Sequence, residues 1–146
     1  MENNVVENKS DVFFLNQNEI LNLKELALNH VLKRSRLCLH SSNINNVQEM
    51  IIVAHKSSII ETHRHPIDKP ESYHVLEGQL MVNIYNDNGI IISQETLYAD
   101  KHPRMYRIEG NIWHQPIPMT EWVVYHEVAT GPFEKEKDVE YFNTNN

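Results

Sequence analysis

The chain divides by the period of its apolar positions. Across residues 18–33, Ile20, Leu23, Leu26, Ala27, His30 and Val31 recur at three- and four-residue spacing, with Asn16 or Asn18 available as a cap. That pattern predicts an amphipathic helix of about four turns whose apolar stripe covers a sheet or a partner subunit. Beyond residue 40 the period changes. Short runs rich in β-branched and aromatic residues follow at 47–54, 58–65, 72–77, 79–85, 90–97, 105–108 and 122–128, nearly all bounded by turn-forming residues. The clearest pair is a hairpin: Leu80, Val82 and Ile84 alternate with polar neighbours, Asn86-Asp87-Asn88-Gly89 turns the chain, and 90–97 returns. Gly89 accepts the positive φ such a turn asks for.

Strands without intervening helices predict an antiparallel sandwich or barrel rather than a parallel α/β sheet. Residues 1–10 are polar and are expected to fray, and the segment from Glu134 is charged before ending Asn143-Thr144-Asn145-Asn146. The expected organisation is therefore an N-terminal arm and helix over 1–40, a β-domain over 41–133 and a loosely held tail over 134–146.

Composition narrows the partners. A chain of 146 residues, 40% of them hydrophobic, can bury one core. Its 20 acidic and 13 basic residues leave a formal charge of −7, which opposes binding to nucleic acid. No apolar run approaches the roughly 20 residues of a membrane-spanning helix. The lone Cys38 has no partner for an intramolecular disulfide, and the first residues do not read as a secretion signal, so a cytoplasmic location is expected.

The chemistry concentrates around His63-Arg64-His65. On an extended strand alternate side chains share a face, so the two imidazoles lie about 7 Å apart along the backbone and can converge on one ion. A loop holding Pro66 and Pro70 leads to Glu71, from which a second strand runs to Gly78 and brings a carboxylate back towards the pair. Trp113-His114, after Gly110-Asn111 and before Pro116 and Pro118, adds a distant imidazole. A bare His-x-His is most simply a solvated pair on an edge strand; Glu71-x6-Gly78 and Trp113-His114 turn the balance towards metal. His74, three residues after Glu71, has the opposite strand parity and is expected to face away. Of His126 and Glu127 one must face inward.

The order His-x-His, Glu, distant His resembles that of the cupin superfamily. Two departures stand out in the first motif: Ser57 occupies the place of its leading glycine, and five residues rather than three or four separate His65 from Glu71. In the second motif Glu109 and Asn111 stand at the proline and glycine positions, with Gly110 shifted by one. Within the superfamily the chain is similar to the WbuC family of cupin-fold metalloproteins, associated with bacterial surface-polysaccharide gene clusters. The likeness runs from about Arg34 to Phe133. It is carried by Arg36, His40, Val47-Gln48-Glu49-Met50, His63-Arg64-His65-Pro66, Lys69, Glu71-Ser72, Val75-Leu76-Glu77-Gly78, Trp113-His114, Glu127 and Gly131-Pro132.

The resemblance implies an all-β cupin jelly-roll barrel with an N-terminal amphipathic helix, a metal held by His63, His65, Glu71 and His114, and Glu127 facing inward. The cupin habit of pairing barrels implies a homodimer. Three imidazoles and a carboxylate suit one divalent transition metal: Fe, Mn, Ni, Zn or Cu. The expected partner is a small, carbohydrate-like molecule, with no nucleic acid and no membrane. The leading expectation for its chemistry is isomerisation or epimerisation of a sugar or nucleotide sugar, with Glu127 or Tyr73 moving a proton and Arg64 or Arg107 holding an anionic group. The alternatives are a non-catalytic metal- or sugar-binding module and an Fe(II)-dependent dioxygenase.

Overall fold

The computed structural model describes residues 3–143. Eleven strands and two helices alternate as β1 (Val5–Glu7), α1 (Gln17–Asn29), β2 (Arg34–Cys38), β3 (Val47–His55), β4 (His63–Arg64), β5 (Glu71–Glu77), β6 (Gln79–Tyr85), β7 (Ile91–Tyr98), β8 (Met105–Ile108), β9 (Trp113–Pro118), β10 (Trp122–Thr130), α2 (Lys135–Asp138) and β11 (Glu140–Tyr141). They build two facing sheets, ordered β1-β2-β3-β10-β5-β8 and β11-β4-β9-β6-β7. Apart from the parallel pair β1–β2, every pairing is antiparallel. This is the jelly roll of a cupin barrel.

Strand alternation divides the core in two. Tyr73, Val75, Leu80, Val82, Leu97, Val123 and Tyr125 meet between the sheets. On the outer face of the larger sheet, Leu37, Ile51, Val53 and Val124 pack against Leu23 of α1. The helix stripe therefore covers its own barrel, and the Ser35 hydroxyl fastens it by donating to the Leu23 carbonyl at 2.6 Å. At the helix start the Asn16 N–H donates to the Glu19 carboxylate at 2.8 Å, one half of a capping box. The helix ends at Asn29 rather than 33, because His30 is extended and Lys33 takes a φ of 54° to turn into β2.

The arm does not fray over 5–7, where β1 pairs with β2, and three other segments also depart from the periodicity. Of 58–65 only His63–Arg64 pairs as strand; the preceding residues are drawn to β2 and the helix exit, with Ser58 Oγ donating to Leu32 O and Arg34 Nη1 to Ile59 O. Trp113–Pro118 is a strand despite its prolines. Met119 N donates to Gln79 O, so the odd positions face β6, and the missing N–H groups of Pro116 and Pro118 lie on the edge where β4 pairs only at His63. Finally, residues 134–142 are no loose tail: α2 and β11 fold back, and β11 pairs with β4.

Gly78 joins β5 to β6 with a φ of +77°, and a Cβ there would lie 2.1 Å from the Trp122 carbonyl oxygen. Only glycine fits. Among the described residues no helix is long and apolar enough to cross a membrane.

Candidate metal centre

β4 supplies His63 and continues to His65, β5 opens with Glu71, and β9 supplies His114 as the direct cross-strand partner of His63. The loop 66–70 absorbs the additional residues ahead of Glu71 in a turn closed by Lys69 N donating to Pro66 O at 2.9 Å. One ligand atom from each of the four side chains lies within 4.8 Å of the others. His63, Glu71 and His114 are buried, and His65 is half-buried.

The second motif's odd spelling has a structural reason. Asn111 stands at the glycine position and takes a φ of 64°, a left-handed conformation that asparagine tolerates better than most residues. Its N–H donates to His65 O at 2.6 Å. Neighbouring Gly110 has its Cα against the loop after His65: a Cβ would come within 1.8 Å of Pro66 O. The pair Gly110-Asn111 thus holds the β9 entrance against the His65 loop.

Each imidazole is oriented by its outer nitrogen. Nδ1 of His63, His65 and His114 donates to the carbonyls of Glu61 at 2.8 Å, Asp138 at 2.7 Å and Ile112 at 2.9 Å. With Nδ1 donating outward, Nε2 is the ring atom that faces the cluster in each case. His114 Nε2 lies 2.8 Å from Glu71 Oε1, and His65 Nε2 lies 3.2 Å from Glu71 Oε2. These are close contacts without hydrogen-bond geometry: His65 Nε2, His114 Nε2 and Glu71 Oε1 are buried with no hydrogen-bond partner. Buried, converging and unsatisfied donor atoms fit a cation. The four residues could hold a metal ion.

The electrostatics agree. Burial alone would raise Glu71, but His114 and His65 hold its carboxyl well below the usual carboxylate range. Burial, followed by the charge of His114, lowers His63 to about 4. Burial also opposes a charge on His65, yet adjacent Glu71 prevails and raises it to about 9. The cluster attracts one positive charge and resists a second proton.

Around it the sequence candidates separate. Glu127 pairs with Tyr73 across β10 and β5, on the interior face. Although part of the residue remains accessible, its carboxyl is desolvated; burial and then the charge of Glu71 push it up to about 8. Tyr73 is buried against Tyr106 and Tyr125, with ring centroids 5.1 and 5.0 Å away. His126 points outward to Glu49, 2.7 Å away, and His74 is exposed. Neither arginine joins the cluster. Arg64 alternates away from its histidine neighbours, stacking 4.2 Å from the Trp113 ring centroid and bonding Glu140 at 2.7 Å. Arg107 is exposed and paired with Glu109.

Sequence reasoning missed the support behind His65. The buried Asp138 carboxylate accepts from Lys69 Nζ at 2.7 Å and Glu134 N at 2.6 Å, and this fixes the carbonyl that orients His65. No local pattern marks Asp138; 73 residues separate it from His65.

The model of a family described as Domain of unknown function (DUF6016) matches residues 15–97, a span that includes His63, His65 and Glu71 but stops before His114. No curated protein matches the sequence. Solved structures with the same fold include CapF with the inhibitor 3-isopropenyl-tropolone (15% identity, TM-score 0.63, covering 75% of this chain and 32% of that one). CapF from Staphylococcus aureus, a capsular polysaccharide assembling protein, aligns at 16% identity and TM-score 0.59 over 69% of this chain and 27% of its own. Oxalate oxidase in complex with the substrate analogue glycolate gives 15% identity and TM-score 0.53, covering 66% and 46%. The chain thus spans about a third of CapF. These neighbours are cupin-fold proteins, and the likeness is one of fold.

Proposed function

Since the chain belongs to the DUF6016 family, which carries no assigned activity, we propose a function from its own site: a metal-binding cupin that acts on a small, oxygen-rich molecule. The observation that carries this reading is the set of three Nε2 atoms and one carboxylate, buried, convergent and backed by Nδ1 hydrogen bonds. His63, His65, Glu71 and His114 would hold one divalent transition metal. Such an ion supplies Lewis acidity towards carbonyl or hydroxyl oxygens.

The remaining steps belong to the chain. Glu127, with its carboxyl pushed up to about 8, keeps a proton near neutral pH and can deliver it inside the barrel. Tyr73 has its hydroxyl raised well above the usual range by burial and then by Glu127, so it serves as a neutral donor beside that carboxyl. The apolar side chains between the sheets bury Tyr73, and the Glu127 carboxyl beside it is desolvated. This arrangement suits proton movement next to a polarised oxygen, as in isomerisation or epimerisation.

The substrate we favour is a sugar or nucleotide sugar of bacterial surface-polysaccharide synthesis, in keeping with the WbuC-like motif residues. CapF, described as a capsular polysaccharide assembling protein, supports the same direction.

Elemental analysis of protein purified without added metal tests the site, with about one equivalent expected in the wild type and little in His63→Ala or His114→Ala. Stoichiometric metal in both variants would overturn it. For the chemistry, metal-loaded protein is expected to convert a member of a nucleotide-sugar panel, and Glu127→Gln to keep its metal while losing turnover. If the panel is left unchanged and unbound, the sugar reading falls.

A further inference from the structure

The two sheets part along the edge strands β7 and β8, leaving a cleft of about 420 Å³. That volume lies within the roughly 300–1,000 Å³ of small-molecule sites. Its floor is apolar, formed by Val82 and Ile84 of β6, Leu97 of β7, Ile108 of β8, and Ile112. Charged groups stand among its lining too: Arg107 pairs with Glu109, and Glu95 is exposed to solvent.

Register ties this floor to the metal cluster. Ile84 is the cross-strand partner of His114, and Ile108 is the partner of Glu71. Directly opposed residues of an antiparallel pair project on the same face with Cβ atoms about 5 Å apart. The cleft therefore ends one side chain short of two candidate ligands. Tyr106 stands at the junction. It lines the cleft, while its hydroxyl is buried and has no hydrogen-bond partner. Burial raises that hydroxyl well above its ordinary value, and the next cause is the charge of Glu71, which keeps it a protonated donor on the cluster side. A buried hydroxyl without a hydrogen-bond partner, between an apolar cleft and a set of converging donors, can donate to a ligand that spans the two.

We infer that the β7–β8 cleft is a subsite for the compact apolar part of the ligand, whose chelating oxygens lie at the His63, His65, Glu71 and His114 cluster and which takes a hydrogen bond from Tyr106. This rests on the metal-binding reading and narrows the substrate class. The ligand carries adjacent oxygens at one end and a small apolar group at the other, such as the methyl of a deoxy-sugar or an acyl substituent. Hydroxyl groups seated on the floor of Val82, Ile84, Leu97, Ile108 and Ile112 would lie against apolar side chains, unpaired.

Two probes share a bidentate head and differ in their apolar body: acetohydroxamate and benzohydroxamate. Calorimetric titration of Ni(II)-loaded wild-type protein is expected to give benzohydroxamate at least about tenfold tighter binding, from burial of the phenyl group. Ser93→Trp fills the cleft from an exposed position opposite Ile84 and is expected to bring the two affinities within about twofold while leaving acetohydroxamate unchanged. Met105→Glu, at a 54% exposed position in the cleft wall, is expected to reduce the preference in the same direction and guards against a Ser93→Trp protein that does not fold. Tyr106→Phe is expected to weaken both probes several-fold without lowering the melting temperature of the metal-free protein. Equal affinities in the wild type, no binding of either probe, or a preference that survives both cleft variants would overturn the subsite. Failure to take up Ni(II) at all would instead overturn the metal reading beneath it.

Discussion

His65 is where proton and metal compete. Its Nδ1 is committed to the Asp138 carbonyl, so an ion and a second proton both seek Nε2. The neighbouring Glu71 carboxylate outweighs burial and raises the ring to about 9, whereas burial and then His114 lower His63 to about 4. Between those values one proton must leave as the ion enters. Affinity therefore weakens as pH falls, by about tenfold per unit. We expect Ni(II) to bind roughly 100-fold more weakly at pH 6 than at pH 8 in chelator competition, with one proton released to buffer. A flat profile would mean that His65 is already neutral. The same residue-level argument separates the two arginines from the site. On β4 the alternation that turns His63 and His65 inward turns Arg64 onto Trp113 and Glu140.

At the scale of elements, the short strand β4 depends on what flanks it. With only His63–Arg64 in strand pairing, it is held by β9 on one side and by β11 on the other. The returning segment 134–142 does more than cover an edge. Asp138 anchors it through Lys69 and the Glu134 N–H, and its carbonyl orients His65. Loss of an outer partner of a metal-bound histidine generally lowers affinity by about 10- to 100-fold. Asp138→Ala is expected to show a loss of that order in chelator competition, with Lys69→Ala following it. Unchanged affinity in both would reduce the segment to an edge cover. The prolines of β9 belong to this scale as well: they leave its pairing to β6 intact and prevent β4 from extending along it.

For the whole molecule, the cluster joins both sheets: His63 and His114 lie in the smaller sheet and Glu71 in the larger. An ion held there cross-links them and binds the native state alone. At free metal about 100-fold above Kd this contributes about 2.7 kcal/mol. Chelation is expected to lower the melting temperature of the wild type by about 5–10 °C, and to leave His114→Ala unmoved. The period-two runs and their turn residues made β3, β5, β8 and β10, the 79–85 and 90–97 hairpin and the amphipathic helix readable along the chain, because alternation and turn chemistry are local. His63, His65, Glu71 and His114 were legible as a group through their order and spacing. Other features were not local. Residues 113–118 stood outside the period-two runs, and only the one-sided pairing of β9 showed where the missing N–H groups of Pro116 and Pro118 lie; Asp138 became a support for His65 only when the charged C-terminal segment folded back. Sequence by itself determined the helix, six of the strands and the candidate ligands, since strand parity and residue chemistry are properties of neighbours in the chain. Tertiary structure alone decided the convergence of the donor atoms, the outward turn of the arginines and the cleft beside Tyr106, since each depends on which strands the folded sheets set side by side.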